Sequence, residues 1–128
     1  EEALQTLRFL HVRDEWTITS YDKIGLNQLI LQVPPKDLAN FIHDQIGELL
    51  TKANKSHLYE TLLAYFRFNR SVQQTAQHLH IHTNTLYQRL SRIEQILNIS
   101  FQIQEDALKI QLACYLKENY LTPVKKRE

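Results

Sequence analysis

Three histidines stand at alternate positions, His78, His80 and His82, within the stretch QHLHIHTNTLYQRL at residues 77–90. Imidazoles at this spacing converge on one metal ion only if the segment is a strand, and no cysteine or acidic residue within the stretch could complete a coordination shell. The residues that follow have a different chemical capacity. Asn84 and Gln88 carry carboxamides, which can form paired hydrogen bonds to adenine N6 and N7. Arginine does the same to guanine, and threonine methyls suit the thymine methyl. A helix start in this region would also aim free N–H groups at phosphate. The chemistry on offer is contact with duplex DNA, provided the flanking chain builds a corner that lifts these residues clear.

The flanking chain has that pattern. Leu58, Leu62, Tyr65 and Phe66 define a helix ending near Asn69. Ser71 reads as an N-cap, with Gln74 three residues later at capping-box spacing. The short helix it opens, residues 71–79, turns Val72, Ala76 and Leu79 inward. A second helix, about residues 83–97, carries Leu86, Leu90, Ile93 and Leu97 at steps of four, three and four. So brief a connection forces the two to cross steeply. Ala76 is small enough for the crossing, and Ile81 would plug the corner between Leu79 and Leu86. Asn98 is a left-handed stop.

On a wheel at about 100° per residue, Asn84, Gln88, Ser91 and Gln95 oppose the apolar stripe. Thr85 and Arg92 lie on one flank and Tyr87 on the other. The face carries no acid until Glu94, whereas an ordinary solvated helix face is rich in Glu and Lys. Arg89 projects nearer the stripe, so it is expected to bind phosphate or brace the turn rather than read bases.

Elsewhere the chain is helical with one exception. Residues 1–12 read as a short helix, and EWTITSYD at 15–22 alternates like a strand. KIGLNQLILQV is an apolar run whose type the pattern leaves open. Val33-Pro34-Pro35 is a break. Leu38, Phe41, Ile42, Ile46, Leu49 and Leu50 then hold helical spacing to about Lys52, and TKANKS forms a polar connection. A final helix around Glu105 to Tyr120 is expected to bury Leu108, Leu112, Tyr115 and Leu116. The tail TPVKKRE reads as loose.

Bulk composition narrows the function classes. Of 128 residues, 43% are apolar, enough for a packed core, and the single cysteine excludes an internal disulfide and suits a cytoplasmic setting. No apolar run is long enough to span a membrane. The chain opens without methionine, which leads us to expect a longer parent protein. Net charge is +1, unevenly spread: residues 1–60 hold six Lys/Arg against nine Asp/Glu, and residues 61–128 hold nine against five. A mildly basic second half suits a polyanion. No phosphate-binding glycine loop, His-Glu-x-x-His or nucleophile elbow is present. Cys114 reads as a small buried hydrophobe, and Glu105-Asp106 as first-turn acids complementing a helix dipole. No catalytic residue, metal or cofactor is expected.

The segment LYETLLAYFRFNRSVQQTAQHLHIHTNTLYQRLSRIEQIL, residues 58–97, resembles the C-terminal helix-turn-helix domain of the PucR/CdaR-type transcriptional regulators of bacteria. The matching residues are Thr61-Leu62, Tyr65-Phe66, Asn69, Ser71, Thr75-Ala76, Leu79, His82, Asn84-Thr85-Leu86, Arg89-Leu90 and Arg92-Ile93. Upstream, SYDKIGLNQLIL is similar to the Y-x-x-L-G-L-x-x-L-L end of the cyclase-like linking domain that precedes this module in the family. The resemblance implies that residues 1–33 are a remnant of that domain. The chain departs from the family at Thr83, where Arg or Pro is usual, and at Gln88, where Tyr is usual. The first removes a phosphate contact, and the second adds hydrogen-bonding capacity on the outward face.

The resulting expectation is a mainly α protein, a helical bundle containing a helix-turn-helix, with a short α/β remnant at the N-terminus. Its parts are the remnant at 1–33, a connecting helix at 34–55, the helix-turn-helix domain at 56–121 and a tail at 122–128. Double-stranded DNA is the expected partner, bound as a homodimer because one short reading helix buries too little for useful specificity. His82, Thr83, Asn84, Thr85, Tyr87 and Gln88 would read bases. Arg70, Ser71, Gln74, Arg89 and Arg92 would hold phosphates. Nothing in these residues points to a membrane or to a small-molecule effector. The competing expectation is a protein-interaction module that kept the shape and lost DNA binding.

Overall fold

The computed structural model describes residues 25–52 and 57–121. The expected helix at 1–12, the strand within 15–22, residues 53–56 of the TKANKS connection and the tail from residue 122 lie outside the described residues; Thr51 and Lys52 of that connection are helical. The chain divides into two units, Glu1–Asp37 and Leu38–Glu128.

In the first unit the apolar run of open type is helical over residues 25–31 (α1). It closes in a turn where the Val33 N–H donates to the Ile30 carbonyl at 3.0 Å. α2, Pro35–Lys52, starts with proline at its first position, where a missing N–H leaves no helical bond unmade. From Leu38 onward α2 belongs to the second unit. It buries Leu38, Ile42, Ile46 and Leu49 on one stripe, while Phe41 and Leu50 are half-buried at its edges.

The second unit continues with α3 (Leu58–Arg67), α4 (Val72–Leu79), α5 (Thr83–Leu97) and α6 (Gln104–Leu116), followed by a π-helical turn at Lys117–Leu121. Among the described residues there is no strand. α3 is the central element and packs on both α4 and α5, which also pack on each other. Its buried face is Leu58, Thr61, Leu62, Ala64, Tyr65 and Phe66. Against it stand Ala76 of α4 and Leu86, Leu90 and Ile93 of α5, all buried. Val72 and Leu79 are only half-buried, and Thr75 takes the fully buried place beside Ala76.

Three helices stop by the same device. Asn69, His80 and Asn98 each adopt the left-handed conformation, with φ of 56°, 59° and 56°. The next residue's N–H then reaches back to an orphan carbonyl: Arg70 to Tyr65 at 2.7 Å, Ile81 to Ala76 at 3.0 Å and Ile99 to Glu94 at 3.0 Å. This is the Schellman closure, which turns the chain sharply and satisfies the helix end. Asn98 is the stop its residue type announces; His80 performs the same task without that signature.

The α5–α6 loop is fixed by its backbone. Glu94 Oε2 accepts from the Phe101 N–H at 2.8 Å, and the Phe101 carbonyl accepts from Arg70 Nη1 at 2.9 Å. The Phe101 ring so placed packs edge-on against Tyr65 and Phe66, with centroids at 5.3 and 6.1 Å.

α6 corrects one expectation. It buries Ala107, Ile110, Ala113, Cys114 and Leu116. Leu108 is 62% exposed and Leu112 and Tyr115 are half-buried. Apolar residues occur on two faces of this helix, and the bulkier stripe is the outer one. The α-helical part ends at Leu116, and the π-helical turn carries the helix on to Leu121, so the chain is helical over the expected span to Tyr120.

Candidate nucleic-acid interface

The corner between α4 and α5 is three residues, His80, Ile81 and His82. Ile81 is half-buried within it. His82 is the N-cap of α5, extended at φ −70° and ψ 151°, and its Nδ1 accepts from the Asn84 N–H at 3.0 Å. An Nδ1 that accepts carries no proton, so in the neutral ring the hydrogen is on Nε2, the donor left to this exposed residue.

Beyond this cap Asn84, Gln88, Ser91, Arg92 and Gln95 are exposed, and Tyr87 is 57% exposed. Thr83 and Thr85 are half-buried. The outward surface of the first two turns is therefore uncharged and rich in amides. Glu94, the one acid of α5, is half-buried and committed to the Phe101 N–H.

The expected phosphate contacts fall into distinct settings. Arg92 is exposed on the third turn of α5. Ser71 caps α4, its Oγ accepting from the Gln74 N–H at 3.2 Å. Only that half of the capping box forms, because the Ser71 N–H donates instead to the Phe68 carbonyl at 3.0 Å. The Gln74 side chain is exposed. Arg70 spends one guanidinium N–H on the Phe101 carbonyl, tying the start of α4 to the α5–α6 loop. Arg89 is half-buried, and its Nη1 donates to Thr61 Oγ1 at 3.1 Å. Of the two tasks foreseen for Arg89, this geometry performs the bracing one.

Two residues absent from the expected set also face this side. Gln73 and Gln77, one turn apart on α4, are exposed. With Gln74, Ala76, Ile81, His82 and Thr83 they line an open notch of about 420 Å³ between α4 and the start of α5. The available signal was the absence of any charged residue from VQQTAQHL, which marks the outer face of α4 as amide-rich like that of α5.

The three alternate histidines are dispersed. The His78 ring lies 5.1 Å from the Phe68 ring, His80 shapes the corner and His82 caps α5. Among the described residues no three His, Cys, Asp or Glu side chains gather in a way that could hold a metal ion. Cys114 is buried in α6, where desolvation pushes its thiol up to about 12. No helix among the described residues is long and apolar enough to cross a membrane.

Comparison with known proteins agrees with this architecture. The chain is 28% identical to the purine catabolism regulatory protein of Bacillus subtilis over 114 residues, covering 88% of this chain and 22% of that protein. It is 35% identical to the carbohydrate diacid regulator of Escherichia coli over 80 residues, covering 62% of this chain and 21% of the relative. An uncharacterized protein of Haemophilus influenzae is 42% identical over 90 residues, covering 65% of this chain and 24% of its own length. The chain thus spans a quarter or less of the length of the curated relatives it matches. No solved structure gives a significant match. Residues 58–116 match the family described as the PucR C-terminal helix-turn-helix domain, and this part of the chain is such a domain.

Proposed function

We propose that the chain binds duplex DNA sequence-specifically as part of a bacterial transcriptional regulator, with α5 entering the major groove. The observation that carries this reading is the exposed, uncharged amide face of α5, presented immediately after a tight corner. Asn84, Thr85 and Gln88 read base edges, joined by His82, Thr83 and Tyr87. Arg92 and the start of α4, with Arg70, Ser71 and Gln74, hold the phosphate backbone, and Arg89 fixes the angle at which α5 is offered. A helix of this length reads only a few base pairs, so the working form is a homodimer on a two-fold site. On this reading residues 1–33 are a remnant of the linking domain that precedes this module in such regulators. Chemistry on the bound DNA has no place in this reading; recognition is the activity.

Duplex binding measured across a salt series tests the proposal. Affinity that is measurable at about 50 mM salt and falls steeply as salt rises is the expected result, because phosphate contacts release counterions. No affinity at that salt favours the interaction-module alternative and overturns the proposal.

A further inference from the structure

We infer that the half-site read by this domain is made of A·T pairs at the positions contacted by the first two turns of α5. The inference rests on the DNA-binding reading above and goes further by naming the base class. It follows from which side chains are free to meet a base edge and which are already engaged.

A G·C pair is read through two kinds of group. Guanine O6 and N7 call for the fork of an arginine or the point charge of a lysine, and cytosine N4 calls for a carboxylate. α4 and the first two turns of α5 contain one such cation, Arg89. It is half-buried, with Nη1 on the Thr61 hydroxyl. The only carboxylate in the two helices, Glu94, accepts from the Phe101 N–H at 2.8 Å. Arg92 stands four residues beyond Gln88, about 6 Å farther along the axis. That places it toward the DNA backbone rather than at the reading end.

The groups left outward are those that suit A·T pairs. Asn84 and Gln88 are exposed one turn apart, and each carboxamide can donate to adenine N7 while accepting from N6. Thr83 and Thr85 supply methyls of the kind that pack on thymine. Gln73 and Gln77 extend the same chemistry onto α4 across the notch shared with His82 and Thr83. His82 adds a donor, since its Nδ1 is held by the Asn84 N–H; a donor meets N7 of either purine, so the choice of pair falls to the amides and threonines.

The test is a selection of tight-binding duplexes from a randomised pool, using this chain at about 50 mM salt, followed by the same selection with Asn84→Ala and Gln88→Ala. Both side chains are exposed, so neither change threatens the core. The expected result is that the positions losing preference in the variants are A·T in the parent site. Replacing one of them by G·C should lower parent affinity about 5- to 150-fold. Gln88→Arg should move preference at one position to guanine. Enrichment of G·C at the variant-sensitive positions overturns the inference and leaves the DNA-binding reading standing. A pool from which no sequence is enriched overturns both.

Discussion

Arg89 Nη1 lies 3.1 Å from Thr61 Oγ1, joining the middle of α5 to the core face of α3 across 28 residues of sequence. The same hydroxyl donates to the His57 carbonyl at 2.9 Å, so its proton is committed and its lone pair is free for the guanidinium. The arginine thereby gains an acceptor in a half-buried place, and α5 gains a fixed rotation relative to α3. Thr75 presents the opposite case. It is also fully buried, yet its Oγ1 has no hydrogen-bond partner. Thr61→Val should therefore cost about 1–3 kcal/mol, since it strands a charged donor, whereas Thr75→Val should gain about 1 kcal/mol by removing an unpaired hydroxyl. Urea denaturation of the two variants checks the pair. Equal shifts in the same direction would show that the two hydroxyls are not in different environments.

The turn of the helix-turn-helix invites a second substitution. His80 holds φ 59° and ψ 42° to close α4, a conformation in which a Cβ crowds the following carbonyl. Glycine adopts it freely but loses more chain entropy on folding. The balance predicts that His80→Gly raises stability by about 0.5–1 kcal/mol, read as a higher urea midpoint at unchanged slope. A lower midpoint would mean that the imidazole makes contacts worth more than its backbone strain.

These two predictions mark where the sequence was legible and where it was not. Local features were readable because they depend on a few neighbouring residues. They include Ser71 and Asn98 as helix ends, the Leu86, Leu90 and Ile93 stripe, and the outward Asn84 and Gln88. The braces were not readable. Arg89 with Thr61, Arg70 with Phe101 and Glu94 with Phe101 join residues that only the packed chain brings together. α6 misled for another reason. With Leu108, Leu112 and Tyr115 on one side and Ala107, Ile110, Ala113 and Cys114 on the other, periodicity offers two answers, and side-chain size favours the wrong one. Gln73 and Gln77 carry neither a cap nor an apolar-stripe signal; on the shorter helix the capping-box spacing singles out only Ser71 and Gln74.

His82 combines a structural and a recognition role, and two substitutions separate them. Its Nδ1 caps α5, which leaves Nε2–H as the donor of this exposed residue. Asparagine is a good N-cap, so His82→Asn should retain stability while losing the ring donor. His82→Ala should lose both, at a cost of about 0.5–2 kcal/mol in stability. Thermal unfolding and duplex affinity, measured on both variants, give the comparison. If His82→Asn binds DNA as well as the parent, the ring serves only as a cap.

Arg92 offers the sharpest separation of positioning from reading. It is exposed on the third turn of α5, past the amides and on the flank shared with Thr85. A phosphate contact is blind to sequence, so Arg92→Ala should weaken binding to all duplexes by a similar factor. It should also lower the magnitude of the log–log salt slope by about 1, the counterion released at one phosphate. Gln88→Ala should do the reverse, costing about 1–3 kcal/mol on the selected site, little on unrelated DNA, and nothing in the slope. Binding isotherms at three or more salt concentrations, on the selected site and on a scrambled duplex, distinguish the two. An unchanged slope in Arg92→Ala would remove it from the phosphate contacts, and a loss confined to the selected site would move it among the base readers. That second outcome would also reopen guanine as a target, because it would place a free guanidinium at a base edge.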